Sequence, residues 1–259
     1  MKVVILCGGL GTRMREQTEL VPKPMLDIGD RPILWHIMKI YAAQGFKEFV
    51  LCLGHKSDVI RRYFLDYRHL VGDFTVDFAD GSVEIHTPPA PLEDWKVTLV
   101  ETGPTAMTGA RVKRVEPYIT GDRFMVTYGD AVSDVDLRGL LAFHDSHEGV
   151  GTVTGVAPPS RYGELAIENA QVVGFAEKPA ASSMQISGGY FVFDRAFFDY
   201  LDPGDACVLE HEPLERLTKE GQLMVYQHAG FWQCMDTPRD YNYLQSLWND
   251  APPWKRWDG

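Results

Sequence analysis

The sequence predicts an α/β protein: a mostly parallel sheet with helices on both faces, continued by a smaller β-rich portion. Three observations carry this reading. Short unbroken apolar runs stop at glycine, the pattern of strands buried on both faces of a parallel sheet. Such runs alternate with helical periodicity over residues 1–157. From residue 158 onward the alternation gives way to shorter β-type runs. We expect one domain over 1–259, with halves at 1–157 and 158–259.

The chain opens M-K-V-V-I-L-C-G-G-L-G-T-R, with Lys23-Pro24 ten residues later. Val3 to Cys7 reads as a buried strand. Gly8, Gly9 and Gly11 follow it, where backbone without Cβ can approach a ligand and offer N–H groups. Arg13 closes the loop with a guanidinium fork suited to phosphate oxygens. A strand entering a glycine-rich, cationic loop is a phosphate-binding arrangement. Two familiar versions fail. A dinucleotide fingerprint begun at Gly9 needs glycine at position 14, where Met14 stands. A Walker A loop begun at Gly8 needs Gly-Lys-Ser/Thr at 13–15, where Arg13-Met14-Arg15 stands.

Arg31 to Phe46 carries apolar residues at 33, 34, 37, 38, 40 and 41, a helix with Pro32 in its first turn and Gly45 at its end. Glu48 to Leu53 is the next strand. Ser57 to Tyr67 is a helix that Ser57 is placed to cap. His36 and His55 read as structural histidines. Phe74–Phe78 and Val83–His86 alternate around Asp80-Gly81, the signature of a hairpin. Val97–Glu101 is a strand, Met107–Pro117 a helix, Arg123–Tyr128 a strand, Val135–His147 a helix and Gly151–Val156 a strand. Ligands of such sheets sit beyond the carboxyl ends of the strands. Gly8–Arg13, Glu101–Thr102 and Gly129–Asp130 all fall there.

In the second half, Leu165–Ile167, Val172–Phe175 and Tyr190–Phe193 read as strands, and Glu212–Glu220 and Arg239–Asn249 as helices. Trp254 and Trp257 lie within six residues of the terminus, where chains usually fray. Paired tryptophans there imply docking, on another subunit or on the parent domain.

The net charge is −11, with no basic tail, which argues against a nucleic-acid partner. Phosphate binding in so acidic a chain needs a few cations and a metal concentrated at one site. No apolar run approaches the roughly 18 residues of a membrane span. Cys7, Cys52, Cys207 and Cys234 show no metal or redox spacing. Together these predict a reduced, cytoplasmic protein that binds no membrane.

Asp130, after a strand and a glycine, presents a hard carboxylate where Mg²⁺ would meet phosphates; a turn or capping aspartate is the plain alternative. Asp236 reads equally as a helix-start cap or a metal ligand. Lys23, between Pro22 and Pro24, and Lys178, between Glu177 and Pro179, are ammonium groups on constrained backbone, with an exposed surface lysine as the plain and commoner alternative.

Together G-G-L-G-T-R-M, K-P-M, R-P-I-L-W-H-I-M-K, M-T-G-A-R-V-K-R, T-Y-G-D, E-K-P, G-G-Y-F-V, G-F-W-Q-C-M-D-T and P-W-K-R-W span the chain. They resemble the sugar-1-phosphate nucleotidyltransferases, and within them the cytidylyltransferase branch acting on glucose 1-phosphate. The resemblance implies a Rossmann-like fold, CTP and glucose 1-phosphate as substrates, Mg²⁺ as cofactor and a homo-oligomer (hexamer or smaller). It makes 1–157 the nucleotide-binding half and 158–259 the half for sugar binding and oligomerisation. It implies nucleotide contacts from Leu6, Cys7, Gly8, Gly9, Gly11, Thr12, Arg13, Lys23, Ala106, Arg111 and Gly129. It places Tyr128, Glu177, Lys178, Ser187, Gly188 and Gly189 at the sugar, and Asp130 and Asp236 at the metal. Arg13, Lys23 and Lys178 would be the catalytic cations, and Arg111 would read the base, with a solvated helix arginine as its plain alternative. Ala106 and Ser187 depart from the pattern, which has serine and asparagine there. The rivals are uridylyl or thymidylyl transfer, a non-catalytic sensor, and a nicotinamide-dependent oxidoreductase disfavoured by the missing third glycine.

Overall fold

The computed structural model describes residues 1–9, 11, 14, 18–70, 72–86, 93–158, 164–176 and 185–257. Seven strands form one sheet: β1 (Lys2–Leu6), β2 (Glu48–Leu53), β3 (Lys96–Glu101), β4 (Arg123–Tyr128), β5 (Gly151–Val156), β6 (Ile186–Asp194) and β7 (Leu223–His228). Their spatial order is β7-β5-β6-β4-β1-β2-β3. All neighbours run parallel except at β6, which is antiparallel to both β5 and β4. The sheet is therefore mostly parallel, as the buried apolar runs predict, and β2, β4 and β5 occupy the predicted ranges. The run around Tyr190–Phe193 lies inside this main sheet. Glu164–Glu168 and Gln171–Ala176 form a separate hairpin.

Besides the single turn Tyr67–Leu70, six helices among the described residues accompany the sheet: α1 (Ile33–Ala43), α2 (Ser57–Leu65), α3 (Thr108–Arg114), α4 (Leu137–His144), α5 (Glu212–Lys219) and α6 (Pro238–Asn249). Strand alternation sorts them into two layers. Val3 and Ile5 of β1, followed by Cys7, pack with α1 and with Leu137 and Leu140 of α4. Val4 and Leu6 point the other way, toward Val112 of α3 and Leu217 of α5. Both faces are covered, and the strand ends are left for ligands.

Several expected element starts shift by one or two residues, and two of the shifts have a visible cause. Arg31 and Pro32 pair with Ile28 and Asp27 in a short hairpin, so α1 begins at Ile33. Ser57 does not cap α2. Its N–H bonds back to Gly54 O at 3.1 Å, which draws it into the first turn, and Lys56 takes the cap position at φ 56° without a side-chain capping bond.

The C-terminal tail docks on its own chain. Trp254 is 1% exposed, with its ring 5.7 Å from Phe231 and 6.3 Å from Trp248. Trp257 meets Trp35 at 5.9 Å. Of the two surfaces left open by the sequence the parent domain is the one used, so the tail gives no argument for assembly. His36 lies in the same aromatic layer, with Nε2 2.9 Å from Ile28 O. Burial lowers its pKa to about 4, and it is neutral and structural. Cys7 and Cys52 are buried free thiols, and burial pushes Cys52 up to about 12. Among the described residues no helix is long and apolar enough to cross a membrane.

Candidate active site

A cavity of about 490 Å³ opens beyond the carboxyl ends of β1 and β4. Leu6, Cys7, Gly8, Gly9 and Gly11 form one wall, and Lys23, Tyr128, Gly129 and Asp130 another. Ala106 and Arg111 line the third, beside Pro104, Met107 and Thr108, which the sequence reading did not single out. Two of the three predicted strand-end elements, at Gly8, Gly9 and Gly11 and at Gly129–Asp130, line the cavity; of the third, Thr102 contacts the lining residue Arg111 and Glu101 pairs with Arg61 instead.

One guanidinium ties those strand ends together. Arg111, in α3, is only 4% exposed. It donates from Nη1 to Leu53 O at 2.9 Å and to Thr102 Oγ1 at 2.8 Å, and from Nη2 to Gly8 O at 2.9 Å. Thr102 in turn donates to Leu53 O at 2.6 Å. The ends of β1, β2 and β3 therefore share a single cation, and Arg111 is not a solvated helix residue. Burial lowers its pKa, against the opposing pull of Cys52 and Glu101, and a guanidinium stays charged regardless. The need for glycine at position 8 follows directly, because a Cβ there would lie 2.1 Å from Arg111 Nη1.

The second cation is Lys23, in a single 3₁₀ turn (Lys23–Met25) after Pro22. Its Nζ lies 2.7 Å from Asp130 Oδ2 and 2.6 Å from Asp236 Oδ1, with 13% of the side chain exposed. Burial works to lower its pKa, but the two carboxylates outweigh that and raise it. Asp130 follows β4 and Gly129, whose N–H bonds Leu6 O at 3.0 Å. The alternative reading of Asp236 as a helix cap is closed. Thr237 caps α6, and Asp240 completes a capping box with it. Asp236 is thereby left to face Asp130 across the lysine. Both acids converge on one cation, 107 and 213 residues from Lys23 in the chain. Among the described residues no group of three or more His, Cys, Asp or Glu is gathered as a metal cage.

Tyr128 reaches across the cavity mouth. Its ring lies against Gly189, where a Cβ would come within 2.5 Å of it and where φ is +77°. Side chain and left-handed backbone both require glycine there. Its hydroxyl donates to the carboxylate of Glu210. Burial and that carboxylate push its pKa well above the usual phenol range. Gly188 O accepts from Trp232 Nε1 at 2.7 Å. Ser187, at the start of β6, is exposed, and its Oγ accepts from Gly189 N at 3.4 Å. Thr12, Arg13, Glu177 and Lys178 lie outside the described residues.

Residues 2–251 match the family model described as nucleotidyl transferase. The glucose-1-phosphate cytidylyltransferases of Salmonella typhi and Salmonella typhimurium are each 46% identical to the chain over 260 residues, covering 100% of both partners. Among solved structures, HddC from Yersinia pseudotuberculosis superposes with a TM-score of 0.68 at 26% identity, covering 95% of this chain and 98% of that one. A Rossmann-like sheet, a glycine loop over a buried arginine and an acid–lysine–acid triad thus coincide with a match along nearly the whole sequence. The chain belongs to the nucleotidyl transferase family.

Proposed function

We propose that the protein transfers a cytidylyl group from CTP to α-D-glucose 1-phosphate, forming CDP-glucose and pyrophosphate. The observation that carries nucleotidyl transfer is that Lys23 and Asp130 line the glycine-loop cavity while Asp236 meets the same lysine. Full-length likeness to proteins named as glucose-1-phosphate cytidylyltransferases supports the choice of substrates.

A phosphate monoester is already a nucleophile, so no general base is needed. Its oxygen attacks the α-phosphorus in line, and the bond to the bridging oxygen breaks with its electron pair leaving on pyrophosphate. Catalysis is then positioning and charge neutralisation. Lys23 neutralises the α-phosphate; Arg13 holds the leaving β- and γ-phosphates; Lys178 holds the incoming sugar phosphate. Glu177, Ser187 and the backbone of Gly188-Gly189 face the sugar hydroxyls. The donor set fits Mg²⁺, which takes one or two carboxylates and completes its shell with phosphate oxygens and water. Asp130 and Asp236 would hold it, and when bound it supplies further charge neutralisation on the phosphates.

The base is read by Arg111. Three of its five N–H groups are committed to Leu53, Thr102 and Gly8, leaving Nε–H and one Nη2–H, on nitrogens sharing one carbon. Cytosine offers O2 and N3 as adjacent acceptors, whereas uracil and thymine carry N3–H, a donor. A mismatched buried donor costs about 1–3 kcal/mol, so CTP should be preferred over UTP and dTTP by about one to two orders of magnitude. Pyrophosphate release with each triphosphate against a panel of sugar 1-phosphates measures this. Equal use of UTP or dTTP rejects the cytidylyl assignment.

We also read the protein as a homo-oligomer. The exposed hairpin Phe74–Val76 and Val83–Ile85 pairs Phe74 with Ile85 and Val76 with Val83. Those four side chains, each 37–46% exposed, share one open apolar face. Sedimentation should give a multiple of 29.2 kDa, and a single-chain mass at micromolar concentration refutes the reading.

A further inference from the structure

Glu210 lies outside the set of residues that the sequence motifs single out, yet it joins two walls of the cavity. One carboxylate oxygen accepts from Tyr128 Oη, and the other accepts from Thr108 Oγ1 at 2.7 Å. Thr108 also accepts from Leu209 N at 2.9 Å. Both hydroxyl hydrogens are therefore committed to Glu210, and neither hydroxyl has a proton left to give.

The side chain is exposed, but the segment that carries it is anchored. Met107 N donates to Asp205 O at 2.8 Å and Ala110 N to Cys207 O at 3.1 Å. Thr105 Oγ1 donates to Asp205 Oδ2 at 2.7 Å. Residues 205–210 are thus bonded along the N-terminal turn of α3, and Glu210 is held against Tyr128, whose ring is pressed on Gly189 from another side. Glu210 spans the nucleotide wall, through Thr108, and the wall next to Asp130, through Tyr128.

The consequence is chemical. At this corner the Tyr128 and Thr108 hydroxyls line the cavity with lone pairs alone, since the Glu210 carboxylate behind them holds both of their hydrogens. A phosphate is repelled there, and a group that donates a proton is favoured. Lys23 and the glycine loop, which line the same cavity, attract phosphate. The corner beside Glu210 is the one suited to a hydroxyl.

We propose that Glu210 is a positioning and specificity-determining residue that fixes Tyr128 and Thr108 as an acceptor surface for a hydroxyl of a sugar ring. The inference rests on the nucleotidyl-transfer reading of this cavity. The ring is either the ribose of the nucleotide or the hexose of the acceptor; the recognised chemistry, a hydroxyl donor, is the same.

The test is steady-state pyrophosphate release by the full-length protein and its Glu210→Gln and Glu210→Asp variants. The substrates are CTP, 2′-deoxy-CTP and 3′-deoxy-CTP on one side, and glucose 1-phosphate with its 2-, 3- and 4-deoxy analogues on the other. Glu210→Gln keeps the shape but must turn an N–H₂ toward one of the two hydroxyls. It should raise KM for one substrate by roughly 10-fold or more while kcat changes far less. In wild type, the deoxy analogue lacking the recognised hydroxyl should show a comparable KM penalty, and Glu210→Gln should erase that difference. Glu210→Asp should recover part of it. A response confined to the CTP series assigns the ribose, and one confined to the sugar series assigns the hexose. Unchanged KM values in Glu210→Gln overturn the proposal. So does a uniform loss in every constant accompanied by a fall in Tm, which marks a purely structural residue. A wild type that releases no pyrophosphate from any pair overturns the underlying reading instead.

Discussion

Asp130→Asn and Asp236→Asn are each expected to lower pyrophosphate release by about two orders of magnitude or more, the usual cost of removing one preorganised electrostatic group. Asparagine keeps the shape of each side chain and removes its charge. Lys23 retains the other acid in either variant, because its Nζ sits 2.7 Å from one and 2.6 Å from the other. The carboxylates are 27% and 31% exposed and Lys23 keeps one of them in each variant, so the stability cost is that of one solvent-screened ion pair, about 1 kcal/mol. Thermal melts should therefore stay close to wild type while turnover collapses. Undiminished activity in EDTA, or in either variant, would refute the assignment of these acids to a metal.

Arg111 is the site of the second large effect, and the structure gives it two separable parts. Arg111→Ala removes the donors to Leu53 O, Thr102 Oγ1 and Gly8 O, all in the buried floor of the cavity. Leu53 O keeps Thr102 N and Oγ1 and Gly8 O keeps His55 N, so the loss is that of three charge-assisted bonds at about 1.5–3 kcal/mol each, and this variant should lose several kcal/mol of stability in denaturant unfolding. Arg111→Lys separates the parts. Its ammonium can still serve one or two of the three acceptors, but it has no planar fork to set against O2 and N3 of cytosine. It should fold and turn over, with the CTP-to-UTP ratio reduced from one to two orders of magnitude toward unity. If Arg111→Lys keeps the full ratio, the base is read by another group.

Much of the fold was legible because the determining signals are local. The run F-V-L-C-L before Gly54 and F-M-V-T-Y before Gly129 carry their own burial and their own stop. The glycine loop was legible for a related reason: Gly8 is required by a contact with Arg111, and glycine after a strand is visible without knowing the contact. The same local logic failed at Ser57, where a cap-forming residue is present but the turn from Gly54 moves the helix start ahead of it. At Asp236 a usable signal was present and not taken: T-P-R-D from Thr237 to Asp240 is a capping-box spacing, which assigns the cap to Thr237. Glu210 had no signal at all. Its partners are 82 and 102 residues away, and nothing in the sequence from Cys207 to Glu212 announces them. The placement of β6 was hidden likewise, since apolar composition does not say which neighbours a strand will choose.

The docked tail also fixes the optical behaviour of the protein. The sequence has six tryptophans, and Trp35, Trp95, Trp248, Trp254 and Trp257 form one ring-to-ring cluster linked through His36. Excitation absorbed by any of these indoles is shared among neighbours about 6 Å away. The bulk of the intrinsic fluorescence therefore reports whether the last turn of chain is seated. Trp232 stands apart, its indole N–H fastened to Gly188 O beside the cavity mouth. One chromophore population monitors integrity of the fold, and a single residue monitors the site.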